Sequence, residues 1–264
     1  MTAEIAILNK EAVALAADSA VTINYKNNQK IFSSAHKLFA LSKYSPVGMM
    51  IYGSAQYMGI PWETIIKQYR RKLDKKPFKR LKEYADDFIK FLNGGNNYVP
   101  TTMEDEYFAQ SVGAYYAYIV RNIDKQIEIA LIKKKELTPE EITQIVKETI
   151  GKIFNKWKDA KPITTLPKNF SQKLRNKHKK TIKNIRKMVF QRLPIGSAES
   201  NRLNAMALYL FTKITHHVYN TDRSGIVIAG FGEDDIFPAL HSYYIDGYVN
   251  KKLIYAEGLK GKLV

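Results

Sequence analysis

Residues 1–22, MTAEIAILNKEAVALAADSAVT, decide how the rest of the chain is read. Residues 3–8 and 12–17 alternate well enough to predict two strands, with Asn9-Lys10 between them as a two-residue hairpin turn. That path returns Asp18 beside Thr2. A small second residue such as threonine permits removal of the initiator methionine, so Thr2 is expected to become a chain terminus. Its α-amine, with a reference pKa of about 8, then lies next to its own hydroxyl, which puts a base and a nucleophile in one residue.

Further along stand AHKLFAL, residues 35–41, and GMMIYGSA, residues 48–55. Together with TAEIAIL and AVALAADSAVT, these runs resemble the start of the proteasome β-subunit and HslV group of N-terminal-nucleophile hydrolases. The family pattern is a mature N-terminal Thr, a strand ending LAAD-S-x-x-T, a Lys ahead of an apolar strand, and a Gly-small-small turn into a helix. All four occur here in that order. The resemblance covers residues 2 to about 75, and more loosely 225–250. It implies an α+β fold, the four-layer αββα sandwich, and cleavage of peptide bonds through a Thr2 ester.

Composition bounds the remaining classes. A chain of 264 residues has ample material for one large domain, or for a domain with an insertion. Cysteine is absent, which excludes disulfides, a thiolate nucleophile and Cys-ligated zinc, and suits a reducing cytoplasm. Met1 runs straight into strand-like sequence with no signal peptide, and no apolar run approaches the roughly 18 residues a membrane helix needs. The formal net charge of +17 favours acidic partners without arguing for any fold.

The hairpin is followed by INYKNNQ, read as a polar loop, and then by strand patterns at KIFS, HKLFALS and VGMMIYG. The continuous apolar character of the last suits a strand covered on both faces. Pro61 opens a helix through IPWETIIKQYRRKL with Ile60, Ile65, Ile66 and Tyr69 on one face, and a second helix is expected over 78–93. Asn-Gly-Gly-Asn-Asn before Pro100 marks a boundary. Beyond it, helices are expected from Thr102 to about Lys135, from the Thr138-Pro-Glu-Glu141 capping box to about Asp159, across 168–192, and over 198–215. In the resembled family the second helix leads almost directly into a strand, so 95–222 reads as a helical insertion between an N-terminal part, 1–94, and return strands, 223–264. Those strands are GIVIAGF, ALHSYYID and KKLIYAE, separated by Gly-Glu-Asp-Asp and Asp-Gly turns. The family continues with a Gly- and Ser-containing turn, two helices and closing strands that carry a supporting serine and a second aspartate. The chain ends first, so either the sandwich is incomplete or the insertion replaces the missing layer.

The resemblance assigns Thr2 as nucleophile, Asp18 and Lys37 as the charged pair beside it, and Gly53 as the backbone donor to an oxyanion. Each has a plainer reading. Thr2 is an ordinary strand residue, Asp18 a turn cap, Lys37 a snorkelling surface lysine with Lys30 as the other match, and Gly53 a turn glycine. The substrate pocket falls on Ala20, Val21, Ile51 and Ala55, all apolar, with Thr22 pairing to the peptide backbone. No cofactor or metal is expected; His216 and His217 are adjacent, and on a helix would point apart. The partners implied are a peptide or unfolded protein, further copies in a ring, and an unfoldase. The segment 168–192 carries ten Lys or Arg and no acid. It reads first as a solvated amphipathic helix, because Phe170 and Phe190 both fall where a core face uses them. The alternative, an inactive subunit that binds nucleic acid or an acidic partner through this helix, is a different class of function.

Overall fold

The computed structural model describes the backbone of residues 4–18, 21–25, 28–32, 36–94, 99–214 and 223–262, and the side chains of these outside 19–35 and 259–264. The fold is α+β. It divides into two compact units, Met1–Val99 with Thr221–Val264, and Pro100–Asn220.

In the first unit, β1 (Glu4–Leu8) and β2 (Val13–Ala17) pair antiparallel from Glu4↔Ala17 to Leu8↔Val13. The connection is four residues, not the two expected. Asn9 Oδ1 accepts from the backbone N–H groups of Glu11 at 2.8 Å and Ala12 at 2.7 Å, so the side chain closes the turn that Asn9-Lys10 alone would have made. The described residues of the stretch read as a polar loop, 23–25 and 28–29, are strand instead: β3 (Val21–Tyr25) pairs with β4 (Asn28–Phe32), in register from Val21↔Phe32 to Tyr25↔Asn28. Their β-branched and aromatic residues outweigh their asparagines.

Five strands make the main antiparallel sheet. These are β5 (Leu38–Ala40), β6 (Val47–Gly53), β9 (Ser224–Gly230), β10 (Ala239–Val249) and β11 (Lys252–Lys262), in the order β11-β10-β9-β6-β5; the short pair β7 (Gln56–Tyr57) and β8 (Ile60–Pro61) stands apart from it. Asp246-Gly247 lies inside β10 at a register shift rather than in a turn. The tight turn is Asn250-Lys251, whose φ values of 51° and 59° are those of a two-residue hairpin loop, closed by Val249↔Lys252. Asp246 is held elsewhere, by the Arg223 guanidinium at 2.6 and 2.9 Å.

Strand alternation separates two faces of this sheet. Met49, Ile51, Ile226, Ile228 and Tyr243 share one face across the β6–β9–β10 register. It is covered by α1 (Trp62–Leu73) and α2 (Leu81–Asn93), whose aromatic residues Tyr69, Phe88 and Phe91 interlock. Pro61 stands at the N-cap of α1, one residue before the helix. On the other face Gly48 meets the β1–β2 hairpin so closely that a Cβ there would sit 3.0 Å from Leu15 Cδ1. Three layers result: helices, sheet and hairpin.

The second unit consists of α3 (Thr101–Lys134), α4 (Pro139–Lys156), α5 (Phe170–Val189) and α6 (Ser197–Tyr209). Thr138 and Glu141 form the expected capping box at the start of α4. Tyr115, Tyr116, Ile119, Trp157, Leu174, Leu203 and Met206 fill the core, with Trp157 Nε1–H donating to the Tyr115 hydroxyl at 2.7 Å. α6 ends at Tyr209, short of the expected 215, because the chain leaves the helix to pair with the segment 161–163. Ile163 N–H bonds Thr212 O at 2.9 Å, and Ile214 N–H bonds Lys161 O at 2.8 Å. Phe170 and Phe190 are both buried in this core. Among the described residues no helix is long and apolar enough to cross a membrane.

Candidate active site

The apolar run of β6 suits its interior place in the sheet, between β9 and β5, and its last residues, with the start of α1, wall a pocket of about 160 Å³. The lining is His36, Lys37, Ile51, Gly53, Ser54, Ala55, Pro61, Trp62 and Glu63. Four residues assigned from sequence, Lys37, Gly53, Ile51 and Ala55, therefore meet in one place. Lys37 enters just before β5, its carbonyl accepting from Ile51 N–H at 2.8 Å. Its side chain is 7% exposed, and Nζ donates to Asp18 Oδ1 at 2.5 Å from a carboxylate that is 32% exposed. An ammonium at such depth requires a carboxylate partner, and the end of β2 delivers one.

Gly53 closes β6 with φ 75°, where a Cβ would lie 2.1 Å from Arg223 O. The glycine is thus required by the neighbouring strand, independently of any ligand. Ser54 continues the contact, its N–H donating to Arg223 O at 3.1 Å. Ser224 ties two lining residues together: its buried hydroxyl accepts from Trp62 Nε1–H at 2.8 Å and donates to Ser54 O at 3.0 Å. Thr2 and Ala20 lie outside the described residues. Val21 and Thr22 belong to β3, which pairs with β4 on one edge and with no other described strand. Lys30, the other lysine considered, is on β4 opposite Ile23.

Sequence reasoning missed three ionisable neighbours. Glu4 is the first residue of β1 and lies across from Ala17, next to Asp18. One of its carboxylate oxygens is buried with no hydrogen-bond partner. Burial pushes its pKa up and the Asp18 charge adds to this, against the opposing pull of Lys37. Glu63 and His36 stand at the pocket rim, so the lining is not wholly apolar as expected from Ala20, Val21, Ile51 and Ala55. A hydrogen bond from Lys67, with its charge, holds the Glu63 carboxyl below the usual range. The signal for Glu4 was available in the hairpin's period of two. Ile5 and Ile7 are 56% and 62% exposed, so Glu4, Ala6 and Leu8 take the inner face.

No family model, curated protein or solved structure matches this chain.

Proposed function

We propose that the chain is a threonine peptidase of the N-terminal-nucleophile class, hydrolysing peptide bonds through Thr2 after removal of Met1. The observation that carries this reading is the Lys37–Asp18 ion pair at a pocket walled by Ile51, Gly53 and Ala55. A half-buried pair of this kind adds little to stability compared with apolar packing, and its place beside a cavity favours a chemical role. In the proposed reaction the Thr2 hydroxyl adds to the scissile carbonyl, its proton passing through the α-amine to the leaving amine as the C–N bond breaks. Water then hydrolyses the ester and frees Thr2. The Lys37 ammonium favours the ionised hydroxyl by its field, Asp18 holds Lys37 in place, and a backbone N–H at Gly53 faces the developing oxyanion.

The finer fold belongs to the same reading. The helices, sheet and hairpin supply three layers of an αββα sandwich, and the bare face of Ile5 and Ile7 is where a fourth would pack. Such a patch also supports assembly with further copies, as in a ring. Ile51 and Ala55 favour Leu or Phe before the cleaved bond, by about 1.5 to 3 kcal/mol of burial.

The test is Thr2→Ala against wild type, with intact mass to verify loss of Met1, fluorogenic peptides ending in Leu, Arg and Glu, and a threonine-directed epoxyketone. Hydrolysis and labelling are expected to vanish in Thr2→Ala and to persist in part in Thr2→Ser. Unchanged cleavage by Thr2→Ala removes the nucleophile assignment. Faster cleavage after Arg than after Leu removes the apolar pocket and transfers specificity to Glu63.

A further inference from the structure

Helix α1 begins at the pocket just described and ends, about 18 Å away at 1.5 Å per residue, against a second and separate cleft. This cleft of about 400 Å³ is lined by Lys43 and Tyr44 from the β5–β6 connection, by Lys67, Arg70 and Arg71 from α1, and by Asp74 at the helix end. Four cations thus share a concave surface with one carboxylate. Among the described ion pairs only Lys67 of the four is matched, to Glu63 at 2.7 Å, while Glu63's charge reaches Arg70 at longer range. Lys43 and Arg71 are exposed and form no ion pair among the described residues. The Arg70 guanidinium is partly inside: Nη1–H donates to Ala40 O at 3.3 Å, and Nε is buried with no acceptor.

Arginines at a helix C-terminus complement the macrodipole, and that accounts for Arg70 and Arg71 in the last turn. It accounts neither for Lys43, which enters from a loop to face the same space, nor for the unanswered Nε–H of Arg70. Like charges converging on a cleft raise the local concentration of anions, and guanidinium forks match phosphate oxygens. The volume exceeds what a single phosphate fills and lies in the range of small-molecule sites. At its rim Tyr44 is 59% exposed, with Lys75 Nζ 5.8 Å from its ring centre. An exposed ring beside a phosphate site is a platform on which a base stacks.

We infer that this cleft binds a chain of phosphates, held by Lys43, Arg70 and Arg71, whether inorganic or carried by a nucleotide whose base rests on Tyr44. The inference stands apart from the peptidase reading and needs no catalytic activity. Isothermal titration of the full chain with tripolyphosphate and, separately, with ATP tests it at low and at moderate salt. The expected results are saturable binding of tripolyphosphate that weakens as salt rises, and at least tenfold weaker binding in Lys43→Ala/Arg71→Ala, two exposed positions whose change leaves the fold alone. Tighter binding of ATP, lost selectively in Tyr44→Ala, assigns the nucleotide as the source; equal binding of both ligands assigns the phosphate chain alone. The inference is overturned by absence of tripolyphosphate binding at millimolar concentration. It is also overturned if Lys43→Ala/Arg71→Ala binds like wild type, or if Lys179→Ala/Lys183→Ala, on the exposed basic side of α5, loses as much affinity.

Discussion

Replacing Gly53 with alanine separates two demands that coincide at one residue. The first is backbone conformation: φ is 75° at Gly53 and 81° at Gly59, a region that L-residues enter at about 1–2 kcal/mol. Part of this is offset, by about 0.4–1 kcal/mol, because alanine restricts the unfolded chain. The second demand is space. A Cβ at Gly59 meets nothing within 4 Å, whereas at Gly53 it lands 2.1 Å from Arg223 O, a backbone atom that moves only if β9 moves. Overpacking of this kind costs about 1–3 kcal/mol. Gly59→Ala is therefore expected to lose about 1 kcal/mol, and Gly53→Ala about 2–4 kcal/mol. The assay is urea unfolding followed by Trp62 emission in a Trp157→Phe background, since the chain has only these two tryptophans. Midpoints are compared at unchanged m. Equal losses in the two variants, within about 0.5 kcal/mol, refute the carbonyl contact as the reason for glycine at 53. The result also governs how activity data are read, because hydrolysis lost in Gly53→Ala alone is explained by a displaced β9 without any oxyanion role.

Ser224→Ala strands the buried Trp62 Nε1–H, which now donates at 2.8 Å, and is expected to lower stability by about 1–3 kcal/mol; a loss below about 0.5 kcal/mol in the same urea assay counts against the hydrogen bond. His178 is buried, stacks on Phe108 at 3.8 Å between ring centres, and faces Asp105 and Lys177. Burial first, then the Lys177 charge, lowers its pKa from 6.5, while Asp105 opposes them. The unfolded chain thus takes up this proton more readily, so the stability His178 contributes is complete above the reference value and falls as pH drops below it. Urea midpoints reported by Trp157 are expected to decline from pH 7.5 toward pH 5, and His178→Phe is expected to flatten that decline. An unaltered slope in His178→Phe assigns the acid sensitivity to other groups.

The strands and helices were legible wherever one local signal dominated, as in the apolar run VGMMIYG and in the capping box at Thr138. They were misread where side-chain chemistry competed with composition. INYKNNQ looks like a loop by its polar residues and Asp246-Gly247 looks like a turn by its pair, yet the described residues of both are strand, because cross-strand pairing and the Arg223 guanidinium claim them. Lys37, Gly53, Ile51 and Ala55 were visible as motif positions. His36 and Glu63 in the lining, Glu4 beside the ion pair and Ser224 behind Trp62 were not, since what places them is strand register and the start of α1, neither of which a linear motif records.

The sheet has a temporal consequence. Ser54 and Ser224 touch from 170 positions apart, so β6 waits for β9 while the whole helical unit is made. At about 5–20 residues per second of synthesis, that interval is roughly 10 to 35 s. Throughout it GMMIY stands as an apolar strand whose β9 partner does not yet exist, the kind of segment that associates with other chains. The helical unit shortens the danger once it is complete, since its local contacts form quickly and a folded body replaces over a hundred flexible links in the loop that β6 and β9 must close. Variants that slow the helical unit's folding thus raise aggregation of a sheet they do not touch.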